Sequence, residues 1–166
     1  PEALKAGRYK VNFHPDIPSR FGILPRRGDM QSLKWFEADP CYVYHVVNAW
    51  EEGDEVVLIA CRVKDPEPTS YDNKPLGKML AFLRLDAHLY EWRFNMKTGQ
   101  TTERALDDAN TEFPTINDDF TGQRSRYARV DEVTIKAFHD NALPFLRDVS
   151  LAPGHQAAVS AHRCPG

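Results

Sequence analysis

The sequence predicts a mainly β protein built from antiparallel strands, with a helix and a disordered tail towards its C-terminal end. Two apolar runs, residues 41–50 and 55–63, flank the acidic turn 51–54, which is typical of a β-hairpin. Further short runs of strand-like composition follow at close spacing, separated by turn residues. This pattern stops near residue 131, where apolar residues recur with a helical spacing.

Length and composition favour a single globular domain. The chain has 166 residues, 42% of them hydrophobic and 27% charged, and about 100 to 200 residues per domain is usual. The net charge of −3 and the absence of basic runs argue against a nucleic-acid partner. No apolar run reaches the roughly 18 residues of a membrane span, and the first residues lack the layout of a signal peptide. We therefore expect a soluble, intracellular protein.

The cysteines indicate a reducing compartment. Cys41, Cys61 and Cys164 are odd in number and widely spaced, so neither a disulfide framework nor a zinc knuckle is predicted. We expect Cys41 and Cys61 to act as small buried hydrophobes. The chain starts at Pro1 rather than at methionine and stops without a finished element, which suggests a piece of a longer protein.

The first part of the chain predicts short strands. Residues 1–19 carry three prolines and form an irregular lead-in, with one short strand at 8–13. Strands are predicted at 21–26 and 33–37, each ended by turn residues.

The central hairpin, 41–63, is predicted to be covered on both sides. Strict alternation places Val43, His45 and Val47 on one face of the strand 41–50, but both of its faces are largely apolar, as are those of 55–63. Stacked sheets or propeller blades would both bury such strands. The acidic turn itself is expected to be solvated.

Residues 64–130 continue the β region. The polar stretch 64–74 suits an exposed connection or a lid, and 79–84 begins another strand. A second hairpin is predicted from 88–96 and 100–106 around a turn at 97–99. The extended piece 112–117 carries Pro114, which places it at an edge or in a loop entering the core. A last strand is predicted at 124–130.

The C-terminal end is predicted to differ. Asp131 is a suitable cap for a helical segment, 131–148, in which Val133, Ala137 and Phe138 share a face and which Pro144 ends or kinks. Residues 149–166 are rich in Ala, Pro, Gly and Ser and are predicted to be disordered.

His45 is a polar, metal-capable side chain in an otherwise apolar run. By pattern alone a hydrogen-bonded core histidine is the more common interpretation, and no HxH, HxxxH or HExxH motif supports a metal ligand. The aromatic residues are expected mainly in the core. The set predicted there is Trp35, Phe36, Trp50, Trp92 and Phe94.

Four sequence blocks together point to a family. They are SRFGILPR (19–26), WFEADPCYVYHVVNAWEEGDEVVL (35–58), YEWRFNMKTG (90–99) and EFPTIN (112–117). In this order they resemble the carotenoid cleavage oxygenases, which include carotenoid, apocarotenoid and lignostilbene dioxygenases. The resemblance covers about residues 17–128, so residues 1–130 are interpreted as a partial β-propeller region of this family.

The resemblance implies part of a seven-bladed β-propeller whose axis holds a non-haem Fe(II) on four histidines. Such enzymes cleave a conjugated C=C bond of an apolar polyene or stilbene with O2, giving two carbonyl products. The family block HxxNAxE contains one iron ligand, which His45 matches. The glutamate that opens E-F-P-x-I-N accepts the other N–H of a ligand histidine, and Glu112 matches it. A carboxylate on the distal nitrogen fixes the tautomer and orients the ring. Phe113, next to Glu112, is expected to approach a hydrophobic substrate tunnel.

The resemblance also has limits. The family enzymes are several times longer, and their other three iron ligands lie in blocks outside the matched region. We assign none of the remaining histidines to iron: His14, His88, His139, His155 and His162. Two interpretations therefore stay open. The chain is a segment of a dioxygenase, inactive alone, or it is a non-catalytic β-propeller fragment that acts as a binding module or has no function. The parent enzyme is expected in the cytoplasm or a plastid, with peripheral membrane association compatible with an apolar substrate.

Overall fold

The structure is a computed structural model in which residues 13–64, 66, 86–132, 145–151 and 160–162 are described, and this part of the chain contains ten β-strands. The strands are β1 Ser19–Ile23, β2 Lys34–Ala38, β3 Tyr42–Glu52, β4 Glu55–Val63, β5 Ala87–Asn95, β6 Thr101–Ala105, β7 Thr111–Thr115, β8 Tyr127–Glu132, β9 Phe145–Ser150 and β10 Ser160–His162. Helical structure in these ranges consists of two 3-10 turns of three residues each, Met30–Ser32 and Asp118–Phe120. The described ranges therefore contain no helix that is long and apolar enough to cross a membrane.

The strands form two antiparallel sheets of four and one ribbon. Strands β3-β4-β5-β6 follow one another across the first sheet, and β7 to β10 do the same across the second. The ribbon consists of β1 and β2. Meanders of four consecutive strands are the unit from which propeller blades are built. The mainly β, antiparallel prediction is confirmed, while a count of seven blades remains a prediction.

The central hairpin forms as predicted. Strands β3 and β4 pair up to Glu52 opposite Glu55, so Gly53 and Asp54 make a two-residue turn. Gly53 has a φ of +62°, a backbone region in which a Cβ is unfavourable. Glu51 and Asp54 are exposed, as expected of a solvated hairpin end. The second predicted hairpin is also present, as β5 and β6.

The first sheet is buried on both faces. On one face Ile59 and Cys61 of β4 pack against Ala128 and Val130 of β8, in the core between the two sheets. On the other face Ala60, Trp92 and Phe94 pack with Phe36 of the ribbon. This two-sided burial is the reason that both alternate sets of β4 are apolar.

The alternation predicted for β3 is wrong between residues 43 and 48. Its pairing with β4 shifts register between Val43 and Val46 and again between Val46 and Asn48, so β3 carries two bulges. Val43 packs on the ribbon side, whereas Val47 packs in the core between the sheets. The strand is also less buried than predicted, because Tyr42, Tyr44, His45 and Val46 are exposed.

The helix predicted to start at Asp131 is not supported at either end. Asp131 pairs with Leu146 and lies in β8, and residues 145–148 belong to β9. Pairing between neighbouring strands overrides a weak helical pattern. Part of the tail predicted to be disordered is also ordered, because Ser160–His162 pair with β9. Residues 149–150 of that predicted tail also belong to β9. Outside the described residues lie 133–144, 152–159 and 163–166 of the two predicted segments, the predicted strand 79–84, all but the last residue of the predicted strand 8–13, and most of the loop 64–74.

Four of the five aromatic residues predicted in the core are buried, and one is not. Phe36, Trp50, Trp92 and Phe94 are each 5% exposed or less. Trp35 is 54% exposed, and the Arg20 guanidinium lies 4.7 Å from the centre of its ring. A large aromatic side chain on a two-stranded ribbon finds no second layer to cover it, so it is shielded by a neighbouring cation instead.

Candidate metal centre

His45 and Glu112 come together from the first strands of the two four-stranded sheets. His45 lies on β3 and Glu112 on β7, and each strand is an edge of its own sheet. The two strands lie against each other without belonging to one hydrogen-bonded ladder. We call this contact between β3 and the β7 region the seam. The sequence predicted both residues, and the structure brings them into direct contact.

The pair has the geometry of an oriented imidazole. His45 Nδ1 lies 2.6 Å from Glu112 Oε2, which also accepts the Phe113 N–H at 2.7 Å. Because an ionised carboxylate only accepts hydrogen bonds, the proton of a neutral ring lies on Nδ1 and Nε2 keeps its lone pair. Glu112 has no exposed surface, whereas the His45 side chain is 49% exposed. A fixed, buried acceptor thus holds an accessible ring.

Local irregularities in both strands produce this contact. The bulges of β3 turn His45 away from the ribbon side, where alternation predicted it, and towards the second sheet. On β7, the register against β8 shifts between Glu112 and Thr115, and Pro114 has no N–H to donate to a ladder. Phe113 adopts a φ of +53°, an uncommon conformation for an aromatic residue. Backbone strain of this kind is often found at functional sites.

Two other titratable side chains at the site, the Cys61 thiol and the Tyr44 phenol, are held in their protonated forms. Burial raises the pKa of the Cys61 thiol far above its usual range, and the Glu112 charge raises it further. Burial also raises the pKa of Tyr44, with smaller contributions from Tyr42 and Glu112. Both groups therefore stay protonated at neutral pH.

The residues present fit one arm of a metal site, not a complete one. Both hydrogen bonds of the Glu112 carboxylate, to His45 and to the Phe113 N–H, are made by Oε2. Its other oxygen, Oε1, is buried and has no hydrogen-bond partner in the described part of the chain. The described residues contain no group of three or more His, Cys, Asp or Glu side chains arranged to hold a metal ion. An imidazole backed by a carboxylate is a common metal-ligand arrangement.

The other histidines do not join His45 in the described structure. His88 has both ring nitrogens engaged, Nδ1 at 3.0 Å from the Ala109 carbonyl and Nε2 at 3.3 Å from Asp86. His14 is exposed before β1. His162 lies on β10, whose side chains are not described, and His139 and His155 lie outside the described residues.

Residues 1–143 of the chain match the family described as retinal pigment epithelial membrane protein. The chain belongs to this family, the carotenoid cleavage oxygenases. Among its relatives, a carotenoid 9,10(9',10')-cleavage dioxygenase of Arabidopsis thaliana is 41% identical over 127 residues, 76% of this chain and 23% of the relative. A carotenoid cleavage oxygenase of Mycobacterium tuberculosis is 34% identical over 130 residues, 73% of this chain and 24% of the relative. An isoeugenol monooxygenase of Pseudomonas putida is 33% identical over 132 residues, 76% of this chain and 27% of the relative.

Solved structures share the fold of this chain. Cobalt-substituted Synechocystis ACO superposes with a TM-score of 0.69 at 18% identity, over 90% of this chain and 30% of that one. An ACO/RPE65 chimera gives the same values. The chain thus spans about a quarter of the length of the curated relatives it matches.

The part that Asn48 plays between the two sheets was not predicted from the sequence. Its amide binds the loop that follows β7, more than seventy residues away in sequence. A buried asparagine in an apolar strand was the one available signal, because such a group must find partners. The positive φ of Phe113 had no signal, since no glycine or asparagine stands there.

Proposed function

We propose that the chain is a segment of a non-haem Fe(II) dioxygenase that cleaves a conjugated C=C bond of carotenoids, apocarotenoids or stilbenes with O2. The products would be two carbonyl compounds. In this proposal the chain supplies one imidazole of the iron site and is inactive alone. The relatives named as carotenoid-cleaving dioxygenases and as an isoeugenol monooxygenase support the reaction class. The cobalt-substituted Synechocystis structure supports a metal centre in this fold.

The contact between His45 and Glu112 is the observation that carries the proposal. His45 would hold iron through Nε2, while Glu112 fixes the tautomer, aims the ring and raises its basicity. Iron(II), when bound, supplies the reactivity towards O2 that an alkene and protein side chains lack. The chain's own residues hold the ring in place and keep its Nδ1–H hydrogen-bonded to the buried Glu112 carboxylate.

The surface around His45 suits an apolar substrate. The Phe113 ring lies 5.4 Å from the His45 ring, centre to centre, and is 53% exposed. Tyr42 and Tyr44 form a second exposed aromatic pair, 4.7 Å apart, on the same strand as His45. Exposed rings beside a polar centre offer contact area to a flat conjugated chain. We place the substrate approach along these residues.

The test uses the parent enzyme with its flanking regions, in which His45→Ala and Glu112→Gln are compared with wild type. His45→Ala should lose bound iron and polyene cleavage, and Glu112→Gln should lower metal affinity by about 10- to 100-fold. His88→Ala is the matched control, because the nitrogens of His88 are engaged elsewhere. Iron binding and cleavage retained by His45→Ala would refute the assignment.

A non-catalytic module is the second candidate. It is favoured by the lack, in the described residues, of a set of three or more potential metal ligands. Iron analysis and turnover assays on the purified 166-residue chain separate the two candidates. A chain that stays folded and soluble but binds no Fe(II) and turns over no polyene favours the module. An insoluble chain favours a fragment without function, because its edge strands and apolar side chains are uncovered.

A further inference from the structure

Asn48 uses every hydrogen-bonding position of its amide. Nδ2 donates to the Phe120 carbonyl at 3.0 Å and to the Gln123 carbonyl at 2.8 Å. Oδ1 accepts the Ala49 N–H at 2.9 Å and the Gly122 N–H at 3.0 Å. The residue is 5% exposed. A buried amide with two donors and two filled lone pairs is fixed in orientation as well as in position.

These bonds cross the seam between the two sheets. Asn48 lies three residues after His45 on β3, and the loop that it binds, residues 116–126, directly follows β7, the strand of Glu112. Backbone ladders do not connect β3 to β7. In the described part of the chain, side-chain hydrogen bonds tie the seam at His45 with Glu112 and at Asn48 with the loop, and the Glu52 carboxylate of β3 lies 4.0 Å from the Arg124 guanidinium of the loop.

The loop does not need Asn48 to hold its own shape. Asn117 Oδ1 accepts the Asp119 N–H at 3.1 Å and caps the 3-10 turn that follows. Within the loop, the Thr121 N–H donates to the Asp118 carbonyl at 3.0 Å, and the Gln123 N–H to the Phe120 carbonyl at 2.9 Å. Asn48 thus adds an attachment of the loop to β3 rather than a local fold. What it fixes is the position of the β7 region relative to β3.

Apolar packing alone would fix this position poorly. Val47 and Trp50 of β3 contribute to the core that contains Ala128 and Val130 of β8, but such contacts have no preferred direction. The 2.6 Å contact between His45 and Glu112 tolerates little displacement, because hydrogen bonds weaken steeply with distance and angle.

We propose that Asn48 is a positioning residue for the candidate metal centre. By binding the loop after β7, it holds Glu112 at the distance at which its carboxylate accepts the hydrogen bond from the Nδ1–H of His45, which leaves Nε2 without a proton. Its relevance to metal binding rests on the proposed function, whereas its effect on the tautomer of His45 does not.

The experiment measures that tautomer directly in the metal-free chain. Long-range ¹H–¹⁵N NMR at one pH, well above the ordinary histidine pKa of about 6.5, distinguishes Nδ1–H from Nε2–H rings. The His45→Ala spectrum identifies the His45 signals. Wild type should show a single Nδ1–H form, and Asn48→Ala should shift it towards the mixture of a free histidine. Val130→Ala, which loosens the core between the sheets at an apolar residue that makes no side-chain hydrogen bond in the seam, is the matched control for general loosening.

The outcomes decide the proposal. A shift in Asn48→Ala without one in Val130→Ala supports it. An unchanged tautomer in a folded Asn48→Ala chain overturns it, as does an equal shift in Val130→Ala. If Asn48→Ala does not fold, Asn48→Asp is judged by the same criteria, because it keeps both accepting bonds and loses both donating ones. Co(II) titration of the parent enzyme reports on the proposed function separately, with a loss of about 10- to 100-fold in affinity expected for Asn48→Ala.

Discussion

Removing His45 should destabilise the chain more than removing both members of its pair with Glu112. In His45→Ala the Glu112 carboxylate, which has no exposed surface, loses its contact at 2.6 Å and keeps only the Phe113 N–H. Breaking a buried pair by removing one partner costs about 3 to 5 kcal/mol. The His45 side chain is 49% exposed, so water can partly replace it, and we expect a smaller loss, about 2 to 3 kcal/mol. In His45→Ala/Glu112→Met the buried charge is gone as well, and the loss should shrink to about 1 kcal/mol.

Urea unfolding followed by tryptophan fluorescence measures both variants, since Trp50 and Trp92 are buried in the native chain. His88→Ala is the control, because it removes an imidazole that has no buried carboxylate as its partner. Its expected cost is below about 1 kcal/mol. The reasoning is refuted if the double variant is as unstable as His45→Ala, or if His45→Ala costs no more than His88→Ala.

Three further predictions concern other parts of the chain. Burial opposes ionisation of Glu91, but Arg104 and Arg93 outweigh it and lower the pKa of that carboxyl. The stability that the ionised Glu91 contributes is therefore complete above the unfolded-state pKa of about 4.3, and it is lost as pH falls through the lower folded-state pKa. Glu91→Gln should thus flatten the acid side of a curve of unfolding free energy against pH, measured by urea unfolding. At Phe113, with its φ of +53°, glycine should be more stable than alanine by about 1 kcal/mol in the same unfolding assay, the reverse of the usual order. Cys61, fully buried and with a raised pKa, should resist alkylation until the chain unfolds, as peptide mapping after a timed reaction would show.

Where neighbouring residues decide the outcome, the sequence was a good guide. The turn at Gly53 and the two-sided burial of β4 follow from composition and alternation over a few residues. The pairing of His45 with Glu112, however, came from the resemblance of whole blocks and not from spacing. Residues 67 positions apart give no local sign that they meet.

The errors lie where distant partners decide the local structure. Residues 131–132 extend β8 because β9 supplies their ladder, and this partner cannot be read from a helical spacing of apolar residues. Trp35 was predicted in the core by its size, but it lies on a ribbon with only one covered face. In each case tertiary pairing or its absence overrode a local preference.

The two bulges of β3 explain how one strand serves both the core and the candidate metal centre. A single extra residue would turn over every later side chain of the strand, since side chains alternate with a period of two. With two extra residues, Asn48 is the cross-strand partner of Ile59, and Trp50 is that of Val57, so both side chains lie on the side of the core between the sheets. Simple alternation from Val43 would place them on the same side. Only the residues between the register shifts are turned over, and His45 is among them. The strand thus turns His45 towards Glu112 and still leaves Asn48 in the seam, where we propose that it fixes the position of Glu112 relative to His45.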